Sequence, residues 1–193
     1  MGWKKDKTWS DPYLLIVKAI CGLLFIGEAS EDEDRERNTD LTVFSVGGVR
    51  IAVRIRRHEY WLHTKPDNYR KEFTIRYSRP NGRKTEYQKI LDGWGDFLFY
   101  GFALPKPPHL HGWGIVDLSL FRVWATIYRN EHGRDPGHKI QNVDKTQGRA
   151  FYWSEIPQIA ILATYSQSVA NGIAHVPPEF REAVQLALEY TRS

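Results

Sequence analysis

Two apolar runs flank a Gly-Gly pair in the stretch TDLTVFSVGGVRIAVRIRR, at residues 39–57. In the second run arginine alternates with isoleucine and valine, so three arginines share one face of an extended chain. Those arginines are Arg50, Arg54 and Arg56. Two such runs across a glycine pair are typical of a hairpin. The stretch therefore predicts paired strands at residues 40–46 and 49–57, with one cationic face on the second strand.

Apolar periodicity and turn residues predict the elements around this hairpin. An apolar helix begins after the capping candidates Ser10 and Asp11 and covers residues 12–27. The other expected elements are a strand at 72–78, a turn at 79–82, a short helix at 83–91, a strand at 96–103, an extended loop at 104–114, a helix at 115–128, a turn-rich segment at 129–148, a strand within 149–166 and a helix at 177–192. This order predicts an α+β or α/β fold with a central mixed sheet of four or more strands flanked by helices.

Length and composition favour one domain. A chain of 193 residues that is 41% hydrophobic can bury a substantial core. We expect a core domain at 14–103 with a C-terminal extension at 104–193 packed on it. The single cysteine, Cys21, excludes a disulfide within the chain and favours a cytoplasmic location. Lys18 interrupts the N-terminal apolar run, which is also short for a bilayer, so no membrane partner is expected.

Charge is distributed unevenly along the chain. Residues 28–40 hold seven acids and two arginines, a net of −5, whereas residues 50–90 hold twelve bases and four acids, a net of +8. An acidic segment followed by a basic one suits a metal site beside a groove for a polyanion. A solvated charge run next to a basic surface would give the same pattern.

Candidate metal ligands lie in the acidic segment. Glu28 at the expected end of the first helix and Asp40 at the start of the first strand can converge on one ion, with Asp34 as a third ligand. Carboxylate oxygens are the ligands that Mg²⁺ or Mn²⁺ would take, and such an ion assists phosphodiester hydrolysis. Asp40 could equally cap a strand end.

The arginine face and the bases that follow it predict contact with nucleic acid. The planar guanidinium fork of arginine matches phosphate, although charges on an edge strand also prevent aggregation. The candidate nucleic-acid-binding residues are Arg50, Arg57, Arg76, Arg79, Arg83, Lys84 and Lys89.

The order of elements resembles the PD-(D/E)XK nuclease superfamily, which has the restriction-endonuclease-like fold. Glu28 matches the helix glutamate of that family, and Asp40 matches its strand aspartate. Ala52-Val53-Arg54 falls where the family has acid-x-lysine. Alanine cannot hold a metal, and arginine does not give up a proton as lysine does. The phrases RIAVRIRR, FTIR, RPNGRKTE and GWGDFLFYGF are also similar to proteins carried by bacteriophages and their hosts.

The resemblance implies a nuclease-like protein that uses Mg²⁺ or Mn²⁺. Its catalytic residues would be Glu28, Asp40, Arg54 and Arg56, with the two arginines stabilising charge in the transition state. A migrated ligand, Asp34 or Glu86, would replace the missing acid. Two alternatives stay open: a nucleic-acid-binding module without catalysis, and a phage-type inhibitor that binds a host enzyme through exposed aromatic residues.

Overall fold

The computed structural model describes residues 3–21, 26–28, 41–43, 48–62, 72–105, 109–142, 145–166 and 173–175. The helices in these ranges are α1 (Trp3–Cys21), α2 (His58–Leu62), α3 (Glu86–Leu91) and α4 (Leu118–His132), with a 3₁₀ turn at Gln158–Ala160. The strands are β1 (Ile26–Glu28), β2 (Leu41–Val43), β3 (Val49–Arg56), β4 (Glu72–Ser78), β5 (Phe97–Ala103), β6 (Leu110–Asp117), β7 (His138–Gln141), β8 (Gln147–Tyr152), β9 (Ile161–Ser166) and β10 (Ile173–His175). In the part of the chain described here, no helix is long and apolar enough to cross a membrane.

The strands form two sheets. The large sheet has the order β1-β2-β3-β5-β6-β9-β10, and the small sheet has the order β4-β8-β7. Strands β3 and β5 are parallel, and every other neighbouring pair is antiparallel. The prediction of an α+β fold with a mixed central sheet of four or more strands is therefore confirmed. The predicted pairing of the strands at 40–46 and 49–57 is confirmed for the described residues of β2, since Thr42 lies opposite Arg50.

Two apolar clusters cover opposite faces of the large sheet. One face packs on the small sheet and on helices α3 and α4, around Phe73, Leu98, Phe121 and Phe151. The other face packs on α1, whose Val17 is fully buried. Alternate residues of β3 divide between the clusters, because Ile51 joins the second and Ala52 the first. The arginines of β3 share the parity of Ala52 and so point toward the small sheet.

Local sequence explains where the helices beside the small sheet begin and end. Asp117 caps α4 by accepting hydrogen bonds from the backbone amides of Ser119 and Leu120. Gly133 ends the helix with a φ of 65°, a conformation that glycine adopts without strain. Thr85 and Gln88 form a reciprocal capping box at the start of α3. These caps fix the ends of α3 and α4 against the small sheet.

Several predicted boundaries are wrong. The first helix ends at Cys21, and residues 26–28 form β1, because a run that is apolar all round does not separate a helix from a following short strand. The predicted loop at 104–114 and the start of the predicted helix at 115 belong largely to β6, and α4 begins only after the cap at Asp117. Part of the segment predicted to be turn-rich forms β7.

The strand predicted at 72–78 does not join the large sheet. Strand β4 pairs with β8 in the small sheet, so Thr74 lies opposite Ala150 instead of a residue of β3. Both sheets therefore combine strands from the predicted core at 14–103 and the predicted extension at 104–193. The helix predicted at 177–192 lies outside the described residues.

Candidate functional site

The arginine row of β3 faces the small sheet. Arg54 forms an ion pair with Glu86 of α3, and Arg56 donates a hydrogen bond to the hydroxyl of Thr74 on β4. The Nε of Arg56 also donates to the hydroxyl of Tyr100, at 2.8 Å. These contacts bridge the large sheet, the small sheet and α3. We call this group of five residues the arginine seam.

The carboxylate of Glu86 is the acidic centre of the arginine seam. Its side chain is only 7% exposed, and it accepts a hydrogen bond from the backbone amide of Arg76 at 3.0 Å. Burial lowers the pKa of the Arg54 guanidinium, and the charge of Glu86 opposes that shift. Glu86, expected as a metal ligand, is thus engaged by Arg54, and this part of the predicted cationic face is turned inward.

Arg50, near the start of β3, and Arg57, just after its end, are also partly buried. The backbone amide of Arg50 donates to Asp96 at 2.7 Å, and its Nε lies 3.4 Å from the same carboxylate. The Arg57 guanidinium lies 5.0 Å from the ring centre of Trp9 on α1. The predicted arginine face therefore consists of the partly buried Arg50, Arg54 and Arg56, whereas Arg57 lies on the opposite side of the sheet, against α1.

Three acids, Glu28, Asp34 and Asp40, were predicted to bind a metal ion together, and of these the structure describes Glu28. Glu28 is the last residue of β1, which corrects its expected position at a helix end, and its Cα pairs with that of Leu41. Asp34 and Asp40 lie outside the described residues. The backbone nevertheless brings Glu28 beside the residue that follows Asp40. Among the residues that are described, no group of three His, Cys, Asp or Glu side chains could hold a metal ion.

Of the remaining predicted bases, Arg76 lies on β4. Arg79, Arg83 and Lys84 lie on the turn after β4, and Lys89 lies on α3. Arg83 and Lys84 are exposed, and Arg79 is partly buried. The ammonium groups of Lys84 and Lys89 lie 5.9 Å and 5.6 Å from the ring centre of Trp94. We call residues 79–84 the basic turn. Its described acidic neighbour is Asp92, whose carboxylate lies 2.6 Å from the Lys84 ammonium group.

A second basic feature was missed by the sequence reasoning. A cleft of about 590 Å³ lies between the end of α4 and the small sheet, beside β7. We call it the basic cleft and define it by six residues: Tyr77, Arg129, Arg134, Asp135, Lys139 and Arg149. Four of them are cationic and one is acidic, which leaves a net of three positive charges.

Asp135 organises one wall of the basic cleft. It accepts a hydrogen bond from the Tyr77 hydroxyl at 2.8 Å and another from the Nε of Arg129 at 2.6 Å. Burial raises the pKa of the Asp135 carboxyl, but these hydrogen bonds outweigh it and hold the pKa below its usual value. The carboxylate is therefore charged at neutral pH and neutralised within the wall.

Arg149 forms the floor of the basic cleft. It is 5% exposed, and its Nη1 donates to the backbone carbonyls of Asp135, Pro136 and Gly137 at 2.7, 2.6 and 3.1 Å. Its guanidinium lies 4.5 Å from the ring centre of Tyr77. These partners are uncharged, so the positive charge of Arg149 is held in place without being cancelled.

The segment RNEHGRDPGHK, at residues 129–139, carried a signal for the basic cleft. It places three bases and two histidines around two glycines and a proline. Such a turn can gather its charges on one side, but sequence spacing does not show that Tyr77 of β4 and Arg149 of β8 complete the site. Comparison of the chain with protein-family models, with curated proteins and with solved structures gave no match.

Proposed function

We propose that this chain binds nucleic acid through the basic turn and the adjoining face of α3. The observation that carries the proposal is the position of Lys84 and Lys89 beside the half-buried ring of Trp94, with the exposed Arg83 next to Lys84 in the chain. Exposed cations neutralise backbone phosphates, and an aromatic ring edged by cations offers a surface for a base. The inward-facing Arg54 and Arg56 support the sheets of this binding module and do not belong to its contact surface.

The test is the salt dependence of binding to a fluorescently labelled oligonucleotide, measured by anisotropy. Replacing Arg83 and Lys84 with glutamine should lower the slope of log affinity against log salt by about 1 to 2. The matched control keeps the charges by exchanging the residues, as Arg83→Lys with Lys84→Arg, and should retain most of the affinity. An unchanged slope in the glutamine variant would remove the basic turn from the interface.

A second candidate function is a metal-dependent nuclease, favoured by the pairing of Glu28 with Leu41. In this register Glu28 pairs with Leu41, the residue that follows Asp40 in the sequence, and β2 in turn pairs with β3. Carboxylates of these two residues have the oxygen ligands that Mg²⁺ or Mn²⁺ prefers. Asp40→Ala should then abolish cleavage of an oligonucleotide in either metal while leaving its binding intact. Cleavage that persists in Asp40→Ala would exclude this function for Asp40.

A further inference from the structure

We propose that the basic cleft binds a phosphate monoester, either at the end of a nucleic-acid strand or on a free nucleotide. This inference deepens the proposed nucleic-acid binding by assigning a separate site to the terminal phosphate. It uses residues of α4, β7, β8 and β4 that the basic turn does not contain.

The charge of the basic cleft favours a dianion. Within the described chain, no carboxylate forms a salt bridge with Arg134, Lys139 or Arg149. Arg134 instead donates to the hydroxyl of Tyr128 at 3.2 Å, and Arg149 donates to backbone carbonyls. A phosphate monoester carries close to two negative charges at neutral pH, whereas each diester linkage of a strand carries one. Three uncompensated cations in one cleft therefore match the monoester better.

The fixed position of Arg149 in the basic cleft is typical of a specific binding site and not of a basic surface that binds anions nonspecifically. Arg149 is more than nine-tenths buried, and its Nε has no hydrogen-bond partner in the described chain. Its contacts with three successive carbonyls and with the Tyr77 ring hold it before any ligand arrives. A preorganised arginine loses little side-chain entropy on binding phosphate. The exposed Arg134 and Lys139 can close on the ligand from the other side.

The basic cleft is open to solvent and large enough for a small ligand. About 590 Å³ is within the range of small-ligand sites and accommodates a phosphate with part of its nucleoside. The rest of a nucleic-acid strand would extend from the cleft into solvent. Tyr77 lines the cleft and lies two residues before Arg79, where the basic turn begins. A strand held on the basic turn could therefore present its end to the cleft.

The experiment compares one short single-stranded oligonucleotide prepared with hydroxyl ends, with a 5′-phosphate and with a 3′-phosphate. We expect one phosphorylated form to bind about tenfold more tightly than the hydroxyl form, a difference of one charge-assisted contact. The double variant Arg134→Gln with Lys139→Gln should abolish that preference. Both residues are exposed, so the fold should persist, and Arg134→Lys with Lys139→Arg provides a control that retains the charge.

Titration with a nucleoside monophosphate separates the two sources of phosphate. Binding of the free monophosphate that is lost in the Arg134→Gln and Lys139→Gln variant, without a preference among strand ends, assigns the cleft to a free nucleotide. Equal affinity for all three strands together with no binding of the monophosphate overturns the inference. Glutamine at Arg83 and Lys84 should weaken all strands equally and keep the end preference, so failure of the basic turn is distinguishable from failure of the cleft.

Discussion

Glu86 and Arg54 form an ion pair at a site that is shielded from solvent, where an unpaired charge would be unfavourable. The glutamate side chain is 7% exposed and the arginine side chain 23% exposed, and the pair lies between α3 and two sheets. Breaking a buried ion pair by removing one partner costs more than the pair contributes, because it leaves an unpaired buried charge. Arg54 thus has a structural role, although the alternation of arginines in β3 predicted that it would lie on a surface that binds nucleic acid.

We expect Glu86→Gln to destabilise the fold by about 2–4 kcal/mol, because Arg54 would keep its charge without a counterion. Urea unfolding followed by circular dichroism measures the difference. Asp92→Asn is the matched control, since Asp92 pairs with Lys84 at an exposed position and its loss should cost less than about 1 kcal/mol. Equal losses in the two variants would show that the arginine seam is not a buried ion pair in energetic terms.

Glu72 is a buried acid whose protonation is linked to stability. It is 4% exposed, and burial raises its pKa from 4.5 to about 7, with Arg56 lowering it and Glu155 raising it. The Nε2 of His138 lies 3.4 Å from its carboxylate. Because the folded pKa is the higher one, the folded state binds this proton more tightly. The stabilisation is full below pH 4.5 and is lost as pH rises through about 7.

Glu72→Gln should therefore change stability little at acidic pH and increase it at alkaline pH. At a pH near 8 the gain should be on the order of 2–3 kcal/mol, since glutamine stays neutral where glutamate must ionise in a buried site. Chemical unfolding of both proteins at about pH 5 and about pH 8 measures it. A stability difference that is the same at both pH values would contradict the linkage.

The element that shapes the basic cleft is the turn between α4 and β7. Gly133 and Gly137 both have positive φ, at 65° and 76°. A Cβ on Gly133 would meet no atom within 4 Å, whereas a Cβ on Gly137 would lie 2.4 Å from the carbonyl oxygen of Ala150. Gly137 is therefore required both for its backbone conformation and for its close approach to β8.

These two glycines form a matched pair of tests. Gly133→Ala should cost about 1–2 kcal/mol, the strain of a left-handed backbone for a residue with a Cβ. Gly137→Ala should cost more, above about 3 kcal/mol, because the turn must also move away from β8. Thermal unfolding compares them. If both cost the same, the contact with β8 does not constrain the turn.

The sequence predicted features that depend on neighbouring residues, and it did not predict which strands, far apart in the chain, pair with each other. The alternation in β3 and the Asn-Gly turn after β4 were predicted correctly because side-chain period and turn chemistry are properties of neighbouring residues. The pairing of β4 with β8 was not predicted, since nothing within either strand specifies its partner. For the same reason the candidate site lacked Arg149, which reaches the cleft through that pairing.

At the scale of the whole molecule, the two sheets share one core. Phe73 and Phe151 of the small sheet, Leu98 and Tyr100 of the large sheet, and Phe121 of α4 belong to a single buried cluster. The arginine seam adds polar bonds across the same junction. Each sheet buries the apolar side chains of its inner face against the other sheet. We therefore expect the two sheets to unfold as one unit.

Unfolding monitored by two probes should therefore give one coincident transition. Far-ultraviolet circular dichroism reports on backbone structure, and tryptophan fluorescence reports on residues in both clusters, such as Trp113 and Trp153. Two separated transitions would show that the sheets are independent folding units. Arg56→Met provides a further check, because loss of its bond to Thr74 should shift both probes together.

The separation of β4 from its partner along the chain has a consequence for synthesis on the ribosome. Strand β4 ends at Ser78, and β8 begins at Gln147, so β4 emerges on the order of several seconds before the strand that completes its ladder. During that interval the edge of β4 that later pairs with β8 is open and can pair with other nascent chains. Truncated products that stop between these strands should be the aggregating species in cells that make this protein.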